Sequence, residues 1–307
     1  MRASGKKLQL ISSDPAGADQ QVLIDGRGSQ PLPFTLSAPS WSADGARVVF
    51  VGRSGGRRRA IQYDIYMSAA DGSGTTKIAG TREGFNSVLS RDGRLLAFTR
   101  EAQTFQAVSV WLLELDTGTV RQLTPWRNNF FEYPSSFDPD GSALGISRTL
   151  HRDNGPDLNF AVALRVDGSG STVLARNAGE PVYSPDGTKL ALISTGRTKT
   201  VKIEGGTASF VETDLAVANA DGSGLTRLTH TRPLELQPSW DPSGQRLLYT
   251  QIPSAGSETS FLGFGDSIME INADGSCRTR ILGSPKAALF GAVWQPGPGR
   301  EAGPIAC

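Results

Sequence analysis

Two turns recur along this chain with a period of roughly fifty residues, and that periodicity restricts its folds more than any composition figure does. The first turn follows an aromatic or apolar residue: PSWSADG (Trp41, Asp44, Gly45), SVLSRDG (Asp92), SSFDPDG (Phe137, Asp140), PVYSPDG (Tyr183, Asp186), PSWDPSG (Trp240, Gly244) and a decayed AVWQPGPG (Trp294, Gly297). The second reads DPAG at Asp14, DGSG at Asp71, DTG at Asp116, DGSG at Asp167 and Asp221, and DGSC at Asp274. Asp-Gly is a strong hairpin signal, because glycine reaches positive φ without strain and the Asp side chain bonds its own backbone. A repeat of this length containing four strand-like runs is a propeller blade, which buries its faces only by stacking on its neighbours.

Breaks at Gly, Asp and Ser divide each unit into strands A to D. In the first full unit, A lies around residues 39–41, B is RVVFVG from Arg47, C is YDIYMSA from Tyr63 and D is TTKIA from Thr75. The order recurs in LLAFTRE, VWLLEL and VRQLT, in ALGISRT, FAVALRV and TVLA, in KLALIST, LAVANA and LTRLT, and in RLLYTQI, IMEINA and RTRIL. B and C read as near-continuous apolar runs, as strands covered on both faces do. Helical periodicity is sustained nowhere. Before the first A strand, KLQLIS and DPAGADQQVLI have the form of C and D alone; at the other end GAVWQPGPGREAGPIAC has the form of A and B alone, with Pro304 in its B strand. The expectation is an all-β, six-bladed β-propeller with four antiparallel strands per blade. A composite blade from the N- and C-terminal segments closes it, and it occupies 1–307 as one domain. Seven blades would leave one without either turn.

Thirty-one basic against thirty acidic residues leave a net charge of +1, which lacks the field that a nucleic-acid binder needs. There is no run of eighteen apolar residues, and MRASGKKLQLISS lacks the apolar stretch of a signal peptide, so the reading is a cytoplasmic protein or one whose leader has been removed. Cys277 and Cys307 are too few for a disulfide framework and have no metal-ligand spacing; their plain reading is two unpaired thiols. No G-x-S-x-G elbow occurs, the nearest string being GFGDSIM around Ser267. His151 and His230 stand in no metal-binding spacing, and the DGSG strings precede neither Lys-Ser/Thr nor a helix that would hold a phosphate.

The repeats PSWSADG, PVYSPDG and PSWDPSG, each followed by an apolar B strand, a C strand and the pattern A-D-G-S-G-x-T-x-L-T, closely resemble the WD40-like repeat of TolB-type β-propellers over essentially the whole chain. The separate N-terminal α/β domain of TolB has no counterpart in the sequence. The resemblance implies a binding platform that presents a face of loops to a partner, in a periplasmic or secreted module.

Glu83, Glu132 and Glu235 stand five residues ahead of Val88, Phe137 and Trp240, and Glu180 stands three ahead of Tyr183. Four carboxylates so placed would face the channel mouth and could hold Ca²⁺ or a partner's basic residue. The alternative is solvated pairing with Arg82, Arg127, Arg232 and Arg176. The B–C and D–A connections share one face, on which 54–62 (Arg57, Arg58, Arg59), 150–157 (His151, Arg152), 196–211 and 253–265 are long or unusual. Trp126, Phe130, Phe131 and Tyr133, with Phe261 and Phe264, add aromatics there. Such residues anchor interfaces, or else plug the gaps between blades. The functional expectation is a monomeric, non-catalytic module for a protein or peptide, with no cofactor other than a Ca²⁺ at the mouth. The alternative is a metal-dependent propeller enzyme, lyase- or lactonase-like, working at that mouth.

Overall fold

The Asp-Gly turns close through their own side chains. In the computed structural model, Ser42 Oγ donates to Asp44 Oδ1 at 2.5 Å, Ala46 N–H donates to the same oxygen at 3.0 Å, and Gly45 takes φ +67°. Asp92 repeats this with Ser90 and Arg94 N–H, and Asp186 with Ser184 and Thr188 N–H. These bonds, the Ser hydroxyl first, hold the three Asp carboxyls below their usual range. The structure describes residues 2–4, 7–25, 32–33, 39–56, 59–203, 206–231, 234–252, 267–283, 288–289, 291–296 and 303–307.

All regular elements among the described residues are strands, paired into five sheets. One runs Ala288–Leu289, Arg2–Ser4, Lys7–Ser12, Gln21–Ile24. The next is built on Arg47–Gly56 and Arg59–Ala69, flanked by Thr76–Lys77 on one side and by Leu32–Pro33 and Ser40–Trp41 on the other. The largest joins two meanders: Phe85–Leu89, Leu95–Glu101, Val108–Glu114, Val120–Gln122, and Phe130–Phe137, Ala143–Leu150, Leu158–Arg165, Ser171–Arg176. Their only pairing is the parallel bridge Val108 to Phe131. The last two sheets are Ala178–Tyr183, Lys189–Ile203, Gly206–Asn219, Thr226–Arg227 and Leu234–Trp240, Arg246–Ile252, Ser267–Asn272, Thr279–Gly283.

Apolar clusters lie between successive meanders, which is why the middle strands are apolar throughout. Leu10, Leu23 and Ile24 pack on Val48 and Phe50; Val49, Val51 and Ile65 on Leu89, Leu96 and Phe98; Ala97, Val110 and Leu112 on Leu144, Ile146 and Val162. Ala161 meets Ala178, Leu190 and Leu192; Ala191, Ile193 and Leu215 meet Leu247, Tyr249 and Ile271; Leu248 and Ile268 meet Leu289. The C–D turns add a backbone contact at the rim. A Cβ on Gly72 would lie 2.2 Å from the Leu23 carbonyl oxygen, one on Gly222 2.1 Å from that of Leu174, and one on Gly17 2.4 Å from that of Ile281. All three glycines sit at positive φ.

Five expectations are corrected. The N-terminal segment contributes three strands to the mixed sheet and the C-terminal one a single strand, because Arg2–Ser4 folds back on Lys7–Ser12 and is too short to show an apolar pattern. Residues 291–296 and 303–307, expected as strands, form none; Pro304 lies in irregular backbone. The segments 54–62 and 196–211 are hairpin extensions rather than loops, with pairing continued to Gly56–Arg59 and Ile203–Gly206. Leu89, which pairs with Leu96 as Trp41 pairs with Val48, occupies the column assigned to Val88. Cys277 and Cys307 form a disulfide with Cα atoms 5.1 Å apart, and none of the described cysteines is free. The tail returns to the Asp274 turn because Ile305 N–H donates to Asn272 Oδ1 at 2.7 Å and Ile305 O accepts from Asn272 Nδ2 at 3.0 Å.

Candidate functional site

The innermost strands surround a cavity of about 760 Å³, lined among others by Trp41, Asn86, Tyr133, Glu180, Gln237 and Trp294. Each of four innermost strands breaks register against its neighbour at the same level: between Val88 and Phe85, Pro134 and Ser136, Gly179 and Val182, Leu236 and Ser239. Such a bulge re-aims a side chain. Three residues before Leu89, Tyr183, Trp240 and Trp294, the backbone is left-handed: Asn86 φ +48°, Glu180 φ +49°, Gln237 φ +58° and Gly291 φ +61°. For the three non-glycine residues this conformation costs about 1 kcal/mol or more each.

Side chains at this level stitch one strand to the next. Glu180 Oε2 accepts from Gln237 N–H at 2.5 Å, and Gln237 Oε1 accepts from Gly291 N–H at 2.6 Å and from Thr250 Oγ1 at 3.0 Å. The N–H of Glu180 donates to Ser147 Oγ at 2.6 Å. One strand on from Asn86 the position is Pro134, which has no N–H to offer. Burial pushes the Glu180 carboxyl up to about 7, the N–H of Gln237 opposing it.

The other three carboxylates lie elsewhere. Glu83 is exposed, 3.8 Å from Arg82, the one upstream arginine among the described residues that meets its expected partner. Glu132 is buried against Arg148 at 2.5 Å, while Arg127 lies over the Phe130 ring and Arg176 over the Phe160 ring. Glu235 is fully buried: its carboxylate accepts from the Thr229 and Thr231 hydroxyls and from Leu215 N–H, with Arg278 at 3.6 Å. It is an acceptor for a neighbouring strand. Arg232 is outside the described residues. Among the described residues, no three His, Cys, Asp or Glu side chains group as metal ligands.

On the B–C and D–A face, the hairpins Arg47–Gly56/Arg59–Ala69 and Lys189–Ile203/Gly206–Asn219 reach up to 11 and 15 residues per strand, against 7 in Leu95–Glu101. Arg57, Arg58, Phe261 and Phe264 lie outside the described residues, and only the backbone of Arg59 is described. Trp126 is 41% exposed and tilts against Trp111 at 6.3 Å; Arg100 stacks 4.4 Å over the Trp111 ring. Phe130 and Phe131 are half-buried, the first beneath Arg127. His151 Nδ1 and Arg152 N–H both meet Asp157 Oδ1, at 2.9 and 3.3 Å, on an exposed turn. Sequence reasoning missed Phe105, 73% exposed at φ +56° in the turn 102–107; a lone Phe in a polar loop carries no periodic signal. Asn129 N–H donates to Gln106 O at 2.8 Å, which ties this turn to the connection that carries Trp126 and Phe130.

No helix among the described residues is long and apolar enough to cross a membrane. No family model matches the sequence. A curated relative, the Tol-Pal system protein TolB of Francisella tularensis, is 24% identical over 258 residues, covering 82% of this chain and 52% of the relative. The chain thus spans about half the length of that protein. Among solved structures, TolB from Acinetobacter baumannii superposes with a TM-score of 0.68 at 19% identity, covering 96% of this chain and 66% of the other. A TolB-type structure from Agrobacterium tumefaciens gives 0.64 at 18% identity, covering 94% and 90%. In fold the chain is a TolB-like β-propeller.

Proposed function

We propose that the chain is a six-bladed ring forming a single domain, and that its B–C and D–A face captures a protein or peptide without catalysis. Closure is supported by two contacts between the ends, Ala288–Leu289 pairing with Arg2 and Ala3, and Gly17 seating on the Ile281 carbonyl as Gly72 does on Leu23, and by Leu289 of the mixed sheet packing on Leu248 and Ile268 of the last one. An oxidising compartment, periplasmic or extracellular, is supported by the Cys277–Cys307 disulfide.

The observation that carries the capture reading is the pair of prolonged hairpins on the face that also exposes Phe105 and Trp126. The ring needs neither extension for its own core, and exposed aromatics, with Arg127 over the nearby Phe130 ring, are the residue types that anchor interfaces. Resemblance to a Tol-Pal system protein agrees with an assembly role. The metal-enzyme alternative is weaker, since Glu132 and Glu235 are engaged by other groups and His151 pairs with Asp157.

Photo-crosslinking residues placed at 105 or 126, and at 167 or 221 on the opposite face, test the assignment. One discrete partner captured from the first pair alone is expected. Equal capture from both faces, or turnover on ester and lactone substrates that disappears in Glu132→Gln, overturns it.

A further inference from the structure

The fold uses only part of what Glu180 offers. Its stitch to Gln237 N–H needs an acceptor and nothing more, because the next stitch, Gln237 to Gly291 N–H, is made by a neutral amide. Among the described residues, the negative charge and Oε1 of Glu180 take no part in it. Among the described residues no Lys, Arg or His lies within ion-pair distance of Glu180, whereas the buried Glu132 and Glu270 each have an arginine, at 2.5 and 2.7 Å. Unpaired carboxylates in such surroundings are costly.

The cavity's other charges are already engaged. Arg148 is held by Glu132, Arg91 donates to Pro185 O at 2.8 Å, Asp241 lies 3.5 Å from Arg246, and Asp138 accepts from Ala143 N–H and Ser142 Oγ. At the level of Glu180, Asn86 lines the cavity one strand before the Pro134 position, whose backbone has no N–H for it to stitch to. A volume of about 760 Å³ is of the size that takes a small molecule or a side chain of a bound peptide.

We propose that this cavity is a binding site for an organic cation, a primary ammonium or guanidinium, with Glu180 as counter-ion and Asn86 as a neutral polar group on the wall. The cation arrives free, as a diamine, or as a Lys or Arg side chain of a peptide. The site does not rest on the loop-face reading, since a free diamine needs no contact with the hairpins.

Calorimetric titration with 1,4-diaminobutane and with the peptide acetyl-Gly-Lys-Gly-amide, on the wild type and on Glu180→Gln, tests it. Glu180→Gln keeps an acceptor for Gln237 N–H, so the fold persists and a thermal melt verifies it. Saturable binding of either cation, weakened about tenfold or more in Glu180→Gln and absent for the same peptide acetylated on its Lys, is the expected result. Binding of the diamine alone assigns a free amine, and binding of the peptide alone assigns a side chain. No saturable binding of either cation, equal binding to Glu180→Gln, or Glu180-dependent binding of Ca²⁺ in place of both overturns the site while leaving face-specific crosslinking untouched.

Discussion

Gly222 and Gly168 form a matched pair in which only one glycine touches a neighbouring sheet. Both follow Asp in a C–D turn, at φ +85° and +82°, and both donate N–H three residues back, Gly222 to Asn219 O at 2.8 Å and Gly168 to Arg165 O at 3.0 Å. A Cβ on Gly168 meets nothing within 4 Å among the described residues, but one on Gly222 would lie 2.1 Å from Leu174 O and 2.7 Å from its carbonyl carbon. Gly168→Ala therefore costs only the left-handed backbone term, about 1–2 kcal/mol. Gly222→Ala adds the displacement of one rim against the next, about 1–3 kcal/mol by analogy with overpacked interiors. In a domain of this size each kcal/mol lowers Tm by roughly 2–4 °C, so Gly222→Ala should melt several degrees below Gly168→Ala by calorimetry or near-ultraviolet dichroism. Equal melting temperatures would refute the contact. Gly17→Ala applies the same measurement to closure: with a Cβ 2.4 Å from Ile281 O it should behave like Gly222→Ala, and behaviour like Gly168→Ala would place the first and last sheets apart.

Raising the Glu180 carboxyl from its ordinary 4.5 to about 7 makes the folded state bind the proton more tightly than the unfolded chain. The stabilisation is fully present below pH 4.5 and is lost as pH rises through about 7, so Glu180→Gln should gain ~1–3 kcal/mol relative to wild type between pH 5 and pH 8. Parallel denaturation curves at both pH values would contradict this. Reducing the disulfide, or replacing Cys277 and Cys307 by Ser, opens a closure spanning 30 residues and should cost at most about 3–4 kcal/mol; hydrogen exchange should rise at 303–307 and Asn272 first, and unchanged protection there would show the tail is held without it.

The turns and strand order were readable because Asp-Gly chemistry is local: Asp44, Asp92 and Asp186 bond residues two positions away. The stitch at Glu180 and Gln237 was not, since its partners are 57 and 54 residues distant and its level is set by bulges that no periodicity announces. Glu132 and Glu235 look alike by spacing, yet Arg148 claims the one, and Thr229 and Leu215 N–H claim the other. The hairpin at 196–211 was legible in principle, as TKTVKI and TASFV alternate around a glycine pair, but its length read as a loop. The cysteine pairing depended on the path of the tail, which spacing does not encode.

The seating of Gly72, Gly222 and Gly17 on carbonyl oxygens means that these rim contacts are written in main-chain atoms and the lack of a side chain. Side chains elsewhere on these rims can therefore be exchanged without touching the contacts, whereas any residue larger than glycine removes them, so they constrain the turn and leave the neighbouring strand free to vary.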